Sequence, residues 1–165
     1  MAVEWTANVE WIGGFLDGDG TVTSTTSSKL NGLEVSWNGR TDEEAGQTSP
    51  EELLAAAHAS CYSMALASNL VGGGWEPTQI DVACTVAFEV GVGIVSSKLS
   101  ARVEVDGEIA DEKLREAAER AKLNCPVSRA LAGIEIALEL PDLPPPADEA
   151  EGAEGEGELA ATTED

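Results

Sequence analysis

The sequence predicts an α+β fold with a mainly antiparallel sheet, and three observations lead to that fold class. Short alternating or β-branched segments near both ends of the 165-residue chain are separated by glycine-rich turns, which is typical of hairpins. Two longer segments repeat apolar residues every three or four positions, which indicates amphipathic helices. The order of these segments is strands, helix, strands, helix and strand, and this order favours α+β over alternating parallel units.

The N-terminal elements are three short strands. Residues 3–11 alternate loosely and residues 21–26 are rich in β-branched side chains, with glycines between the two segments. A third short strand is predicted at residues 33–37. Residues 38–48 are polar and are predicted to form a loop. This loop contains Arg40, the only arginine before residue 102.

The first long helix is predicted to begin at Ser49 and to end near residues 69–70, before three glycines. Ser49 can cap the free N–H groups, Pro50 suits the first helical position, and Glu52 completes a capping box. One stripe of small and apolar side chains runs along the helix, and we expect it to pack inward. Its members are Leu54, Ala57, Cys61, Ala65 and Ser68.

The C-terminal half is predicted to contain two strands, two helices and a last strand. Residues 80–90 and 94–105 alternate and are joined by glycines, so we expect a hairpin. Residues 111–123 form an amphipathic helix capped by Asp111. Pro126 begins a short helix over 126–131, which places Cys125 near its N-terminus. The last strand spans residues 134–140.

Composition limits the organisation and the partners of the chain. We expect one domain over residues 1–140, followed by a proline-rich and then acidic, disordered tail over 141–165. The chain has 31 acidic and 9 basic residues, a formal net charge of −22. Such a surface repels phosphates and anionic lipids, which disfavours nucleic acid and membrane partners. The N-terminus has neither the basic nor the apolar part of an export signal, so we expect a cytoplasmic protein.

The three cysteines and the single histidine are the candidate reactive groups. The cysteines form no CxxC pair, which argues against a thioredoxin-type motif and a zinc ribbon. Three cysteines in a chain expected to be cytoplasmic also do not suggest a disulfide framework. Cys61 in mid-helix is either a small core residue or a nucleophile in a dry pocket. Cys125 at a helix N-terminus favours a thiolate. Cys84 is interpreted as a core residue. His58, one turn before Cys61, either tunes that thiol or is a satisfied interface histidine.

Two motifs carry a resemblance to a known family. Residues 49–66, SPEELLAAAHASCYSMAL, closely resemble the nucleophile helix of the OsmC/Ohr proteins, the osmotically inducible and organic-hydroperoxide-resistance family. Residues 124–131, NCPVSRAL, resemble that family's second cysteine motif, and their distance from the first motif fits. The likeness extends weakly over residues 3–140. The residues around Cys61 are more similar to those of the OsmC branch than to those of the Ohr branch.

The resemblance implies a thiol peroxidase that reduces organic hydroperoxides. Cys61 matches the cysteine that attacks the peroxide and Cys125 the resolving cysteine, while Arg40 matches the active-site arginine and Glu51 its partner carboxylate. The implied fold is an intertwined homodimer with two central helices and active sites at the interface. No metal or cofactor is implied, and the reductant is a dithiol such as a lipoyl-protein. A non-catalytic binder of an apolar ligand and a zinc-binding regulator are the alternatives, although His58, Cys61 and Cys125 give few zinc ligands.

The spacing of Glu51 and Cys61 predicts that they serve different sites. Ten residues separate them, which is about 15 Å along a helix, so they cannot meet within one straight helix. A buried thiol also needs a nearby cation to ionise near neutral pH. We therefore expect Arg40 and Glu51 to reach Cys61 from the partner chain.

Overall fold

The computed structural model describes residues 2–42 and 46–143, so all but the first three residues of the tail expected over 141–165 lie outside them. The described residues form six strands and four helices that confirm the predicted α+β class. In chain order the elements are β1 (Ala7–Ile12), β2 (Asp19–Thr25), β3 (Glu34–Ser36), α1 (Trp37–Thr41), α2 (Pro50–Gly72), β4 (Pro77–Glu89), β5 (Gly93–Val105), α3 (Asp111–Asn124), α4 (Pro126–Ala130) and β6 (Glu135–Glu139).

The N-terminal sheet is antiparallel in the order β1-β2-β3. Every residue of β1 is exposed, so in one chain this strand covers no core. The residues after β3 form the short helix α1, and the prediction of an uninterrupted loop over 38–48 is wrong there. The Ser36 side chain caps α1 by accepting a hydrogen bond from the Gly39 N–H at 2.9 Å. Arg40 therefore sits on a helical turn.

The C-terminal sheet has the order β4-β5-β6, with β4 and β5 antiparallel and β5 and β6 parallel. β4 and β5 are thirteen residues each and form the hairpin that the sequence predicts. The parallel pair arises because α3 and α4 lie between β5 and β6, and a parallel connection needs such a crossover. The sheets are therefore mainly, not wholly, antiparallel.

The core lies where α2 packs against β4 and α3. The side chains of α2 that are fully buried recur every four residues, and they are His58, Tyr62, Leu66 and Leu70. This stripe is one residue away from the predicted one, a rotation of about 100°. Ala57 and Ser68 are exposed, and Cys61 is half-buried at the edge. Cys61 and Ala65 still pack against this core, so the predicted inward face is confirmed in part, while the larger side chains occupy the centre of the core.

Two helix ends also differ from the prediction. α2 continues to Gly72, two residues past the expected end. The N-cap of α3 is Ala110, which has no capping side chain, so Asp111 does not cap the helix as predicted. Asp111 is instead the first helical residue, where its charge interacts favourably with the helix dipole. In the described part of the chain, no helix has the length and apolar character needed to cross a membrane.

Candidate active site

The structure brings Cys61 and Cys125 together. Cys61 lies in the middle of α2, and Cys125 is the residue between α3 and α4. The two thiols are close enough for each to shift the pKa of the other, and neither is part of a disulfide. The chain therefore holds two reduced thiols side by side although 63 residues lie between them in the sequence.

The two thiols differ in their access to solvent. Cys125 is completely buried, whereas Cys61 is half-buried and opens on a cleft of about 520 Å³ between α2 and α3. The cleft is lined by Cys61, Met64, Ala65, Ser68, Asn69, Gly72, Arg120, Asn124 and Pro126. A solute can therefore reach Cys61 but not Cys125.

The surroundings of Cys61 in one chain favour the neutral thiol. Burial is the largest influence and raises the pKa of Cys61, and the neighbouring Cys125 raises it further. The backbone N–H of Val127 acts in the opposite direction without reversing the outcome. Arg120 lines the same cleft, but its side chain is 60% exposed and is already bridged to Glu116 at 2.7 Å. Among the described residues of one protomer, no cation contributes to the pKa of Cys61.

The surroundings of Cys125 favour its thiolate. Burial alone would raise the pKa of Cys125, but the hydrogen-bond donors around the sulfur outweigh burial and lower it. These donors are the N–H and hydroxyl of Ser128, the Cys61 thiol and the Val127 N–H. The buried thiol is therefore the one that the chain itself stabilises in the charged form.

Arg40 and Glu51 form a second site. Arg40 Nη2 lies 3.0 Å from Glu51 Oε1, and Arg40 Nε donates to Oε2 at 3.1 Å. The guanidinium also stacks over Phe88, 4.6 Å from the ring centre, with Trp37 at 5.9 Å. Glu51 Oε1 is buried and has no aligned hydrogen bond, so it can still accept one. This arrangement fixes the cation in one orientation.

The two sites are separate within one chain. Arg40 and Glu51 line a cleft of about 540 Å³ that includes Cys84 and Phe88 but not Cys61. α2 is continuous from Pro50 to Gly72, so Glu51 and Cys61 lie about 15 Å apart along its axis. The structure thus pairs Cys61 with Cys125 and Arg40 with Glu51, and it does not join the two pairs.

His58 and Cys84 occupy the space between these sites. The ring of His58 is fully buried and lies 2.8 Å from both Ser97 Oγ and Ser128 Oγ, and burial lowers its pKa. His58 is therefore satisfied within the core of one chain, not at an interface. Cys84 is half-buried, packs against the core and lies 3.3 Å from Ser97 Oγ. No cluster of three or more potential metal ligands occurs among residues 2–42 and 46–143.

The sequence reasoning missed four polar residues near the thiols. Ser97 is the polar member of a buried strand face that continues with Leu99 and Ala101, and such an exception in an apolar face is a detectable signal. Ser128 follows Cys125 by three residues, the spacing at which a first-turn side chain returns to the residue before the helix. The other two are Arg120 and Asn124, which share the α3 face beside Cys61.

Comparisons with known proteins identify relatives of the chain. Residues 27–139 match the family described as OsmC-like protein. The chain is 38% identical over 141 residues to peroxiredoxin OsmC of Escherichia coli K12, with 84% of this chain and 96% of that protein covered.

Two solved structures share the fold. An organic hydroperoxide resistance protein OsmC from Legionella pneumophila aligns with a TM-score of 0.66 at 22% identity, covering 85% of this chain and 98% of that one. The organic hydroperoxide resistance protein OhrB of Bacillus subtilis aligns with a TM-score of 0.59 at 25% identity, covering 82% and 97% of the two chains.

Proposed function

The chain belongs to the OsmC-like family, and from this premise we propose that it is a thiol-dependent peroxidase that reduces organic hydroperoxides to alcohols. The observation that carries the proposal is the contact between an accessible thiol, Cys61, and a buried one, Cys125. A relative named peroxiredoxin supports peroxide-linked redox chemistry for the chain. Two adjacent thiols of unequal access suit a cycle in which one sulfur is oxidised and the other closes a disulfide.

In the first step the Cys61 thiolate attacks the distal oxygen of the hydroperoxide. The sulfur–oxygen bond forms as the oxygen–oxygen bond breaks, and the alkoxide leaves with the electron pair and takes up a proton to become the alcohol. Cys61 is oxidised by two electrons to the sulfenic acid, and the peroxide is reduced by the same two. The open cleft beside Cys61 admits the peroxide.

In the second step Cys125 attacks the sulfenic sulfur of Cys61. The disulfide forms as the sulfur–oxygen bond breaks, and the leaving hydroxide becomes water by taking up a proton. A dithiol, of which a lipoyl-protein is one example, then reduces the disulfide and becomes a disulfide itself. Cys61 is the accessible sulfur for that exchange, and the stabilised Cys125 thiolate is the better leaving group.

The first step needs a cation, and residues 2–42 and 46–143 of one chain bring none to Cys61 that lowers its pKa. We infer that the enzyme is a homodimer in which the Arg40–Glu51 pair of one chain approaches Cys61 of the other. The exposed apolar surface of the N-terminal region supports a second copy, because monomers rarely leave such a surface to water. Its large exposed side chains are Val3, Trp5, Val9, Trp11, Ile12, Phe15 and Leu16.

The surroundings of Arg40 support an organic substrate. A cleft of about 280 Å³ lies against Arg40 and is lined mainly by apolar and aromatic side chains, which are Trp11, Phe15, Val35, Trp37 and Pro50 together with Ser36. If Arg40 faces the partner's Cys61, this cleft lies beside the reacting oxygen and can take the organic substituent. Hydrogen peroxide has no such substituent and gains nothing from the cleft.

Steady-state turnover with cumene and tert-butyl hydroperoxide, compared with hydrogen peroxide, tests this proposal. We expect kcat/KM for the organic peroxides to exceed that for hydrogen peroxide, and Cys61→Ser to abolish turnover of all three. Equal rates for the three peroxides would contradict the substrate assignment. Full activity of Cys61→Ser would contradict the role of that thiol.

The second candidate function is a non-catalytic binder of an apolar ligand, and the aromatic cleft beside Arg40 is the observation that favours it. A binder would bind apolar compounds without forming a disulfide after peroxide treatment. Intact-mass measurement distinguishes the two functions, since a peroxidase loses two hydrogen atoms as Cys61 and Cys125 join.

A further inference from the structure

A chain of buried polar side chains leads from the second cleft to the thiol pair. Cys84 Sγ lies 3.3 Å from Ser97 Oγ, and Ser97 Oγ lies 2.8 Å from His58 Nδ1. On the other side of the ring, His58 Nε2 lies 2.8 Å from Ser128 Oγ, and Ser128, three residues after Cys125, is close enough to lower the pKa of the Cys125 thiol. Four elements, β4, β5, α2 and α4, each contribute one or more members to this chain.

We propose that His58 is a positioning residue for Cys125, whose ring, held between Ser97 and Ser128, directs the Ser128 hydroxyl toward the Cys125 sulfur and so favours the thiolate that closes the disulfide. The members are deeply buried: His58, Ser97 and Cys125 are completely inaccessible and Ser128 is 5% exposed. Water therefore does not compete for these hydrogen bonds, and each partner is left unpaired if another is removed.

The number of hydrogens fixes the direction of the chain. A hydroxyl has one hydrogen, so when Ser128 donates to the Cys125 thiolate it must accept from His58 Nε2. The buried ring is neutral, so Nδ1 then carries a lone pair and accepts from the Ser97 hydroxyl. Ser97 has no hydrogen left for Cys84 and accepts from that thiol, which burial keeps protonated by raising its pKa. All four donors are used, each once.

The imidazole ring also has a property that an apolar side chain of the same size lacks, because it can exchange one tautomer for the other. If Cys125 is a thiol and donates to Ser128, every bond in the chain reverses and the ring adopts its other tautomer. The chain can thus follow the charge of Cys125, and the one hydrogen left without an acceptor in it is that of the Cys84 thiol, a weak donor on a half-buried residue. The titratable groups that act on Cys125 are Cys61, within the thiol pair, and Tyr62 on α2, and the one facing His58 is Cys84.

This inference rests on the proposed peroxidase cycle for its purpose, but its test does not need peroxide. A background with Cys61→Ser and Cys84→Ala leaves Cys125 as the single thiol of the three. The ultraviolet absorbance of the thiolate, measured across a pH series as the difference from the same protein with Cys125→Ser, reports the ionised fraction of that thiol without a reagent having to reach it. The peroxidase and the positioning role can therefore fail independently.

We expect His58→Phe in this background to lower the acid ionisation constant of the Cys125 thiol by about fivefold, the effect of losing one buried hydrogen bond to the thiolate. The whole pH profile should move to higher pH. Ser128→Ala should have a similar effect, and adding His58→Phe to it should change nothing more, since both act through the same hydroxyl. His58→Gln, whose amide can donate to Ser128 and accept from Ser97, should keep the pH profile close to that of the background with His58 intact.

Leu70→Ala is the control for a general loss of packing, because Leu70 is equally buried on α2 but three turns from His58. It should leave the pH profile unchanged although it destabilises the core. An unchanged profile in His58→Phe would overturn the proposal. A shift of equal size in Leu70→Ala would do the same, since the effect would then be structural. If His58→Phe fails to fold, the other two variants still test the proposal. A pH profile shifted by Ser128→Ala but not by His58→Gln supports it, and a profile that Ser128→Ala leaves unchanged overturns it.

Discussion

At the scale of single residues, the two thiols differ in accessibility and in how readily they ionise. Cys61 is reachable, but burial raises its pKa, while Cys125 is buried and its pKa is lowered by the donors around it. In the proposed cycle this division suits their order of action, because the exposed sulfur meets the peroxide and the buried one needs only to meet Cys61. The same division protects Cys125 from direct oxidation.

Removing Cys125 should interrupt the cycle after its first step. In Cys125→Ser, Cys61 can still form the sulfenic acid but has no neighbouring thiol to attack it, so excess peroxide should convert it to the sulfinic acid. Intact-mass measurement should show added oxygen atoms and no loss of two hydrogens. Cys84→Ser is the matched control and should still form the disulfide. A disulfide in Cys125→Ser would show that Cys84 can replace the resolving cysteine.

The buried histidine should make stability depend on pH. Burial holds the pKa of His58 below the ordinary value of 6.5, so as pH falls the unfolded chain binds this proton before the folded one. The free energy of unfolding therefore decreases as pH drops through about 6.5, by up to about 1.4 kcal/mol per pH unit.

Chemical denaturation of the wild type and His58→Gln between about pH 8 and pH 5.5 measures this contribution. The carboxylates that titrate in both proteins cancel in the difference, so the gap between the two curves isolates His58. We expect the wild type to lose stability relative to the variant as pH falls. Parallel curves over the whole range would mean that the folded ring titrates normally.

Part of the arrangement of these residues could be predicted from the sequence. The two cysteine motifs predicted Cys61 and Cys125 as a pair, and the structure brings them into contact. Arg40 and Glu51 were predicted as partners and are bridged. The hydrogen-bond chain through Ser97 and Ser128 was not predictable, because it joins residues 39 and 70 positions away from His58, and no local pattern fixes such distances.

At the scale of elements, α2 is the helix on which both sites depend. Its start carries Glu51, its middle carries Cys61, and its buried face holds His58 and Tyr62. The predicted start at Ser49 is confirmed, since the Ser49 hydroxyl accepts from the Glu52 N–H at 3.0 Å. The other half of the expected capping box is different, because the Glu52 carboxylate accepts from the Thr48 hydroxyl instead.

The predicted buried face of α2 is rotated by one residue from the observed one, and the difference has a physical reason. Small side chains such as alanine and cysteine count as apolar in a periodic pattern, but they bury less area than tyrosine or leucine. The core therefore selects Tyr62, Leu66 and Leu70, and the stripe of small residues containing Cys61 is left at the edge. A pattern weighted by side-chain area would have found the observed face.

Losing the cap of α2 should weaken the fold. Ser49→Ala leaves the Glu52 N–H without its partner, and we expect the free energy of unfolding to fall by about 1 kcal/mol. Ser60→Ala is the matched control, since that exposed hydroxyl bonds only to carbonyls of the preceding turn. Denaturant titrations of both variants measure the difference, and equal stabilities would mean that the Ser49 side chain contributes nothing to the helix start.

At the scale of the whole molecule, a single chain is an incomplete version of the proposed enzyme. Its N-terminal sheet exposes both indole and aliphatic side chains, and its cation site and its thiol site lie on different parts of α2. Sequence reasoning could anticipate this separation, because helix rise converts ten residues into about 15 Å. It could not anticipate that Arg40 would be held by Phe88, which lies on the distant strand β4.

Mixed dimers provide the most direct test of the proposed assembly. Cys61→Ser and Arg40→Gln should each be nearly inactive as homodimers, since one lacks the thiol and the other the cation. Co-refolding the two should restore about a quarter of the wild-type turnover per chain, because half of randomly paired dimers are mixed and each mixed dimer has one complete site of two. In that site, Cys61 of the Arg40→Gln chain meets Arg40 of the other.

The matched control replaces Arg40→Gln with Arg120→Gln, which removes the arginine that already lines the Cys61 cleft in the same chain. If Arg40 acts across the interface, Arg120→Gln alone should keep most of its activity, since that side chain is largely solvated and bridged to Glu116. No recovery in the Cys61→Ser and Arg40→Gln mixture, with a correctly sized dimer present, would mean that each site is built from one chain. A strong loss in Arg120→Gln would then identify the cation that acts there.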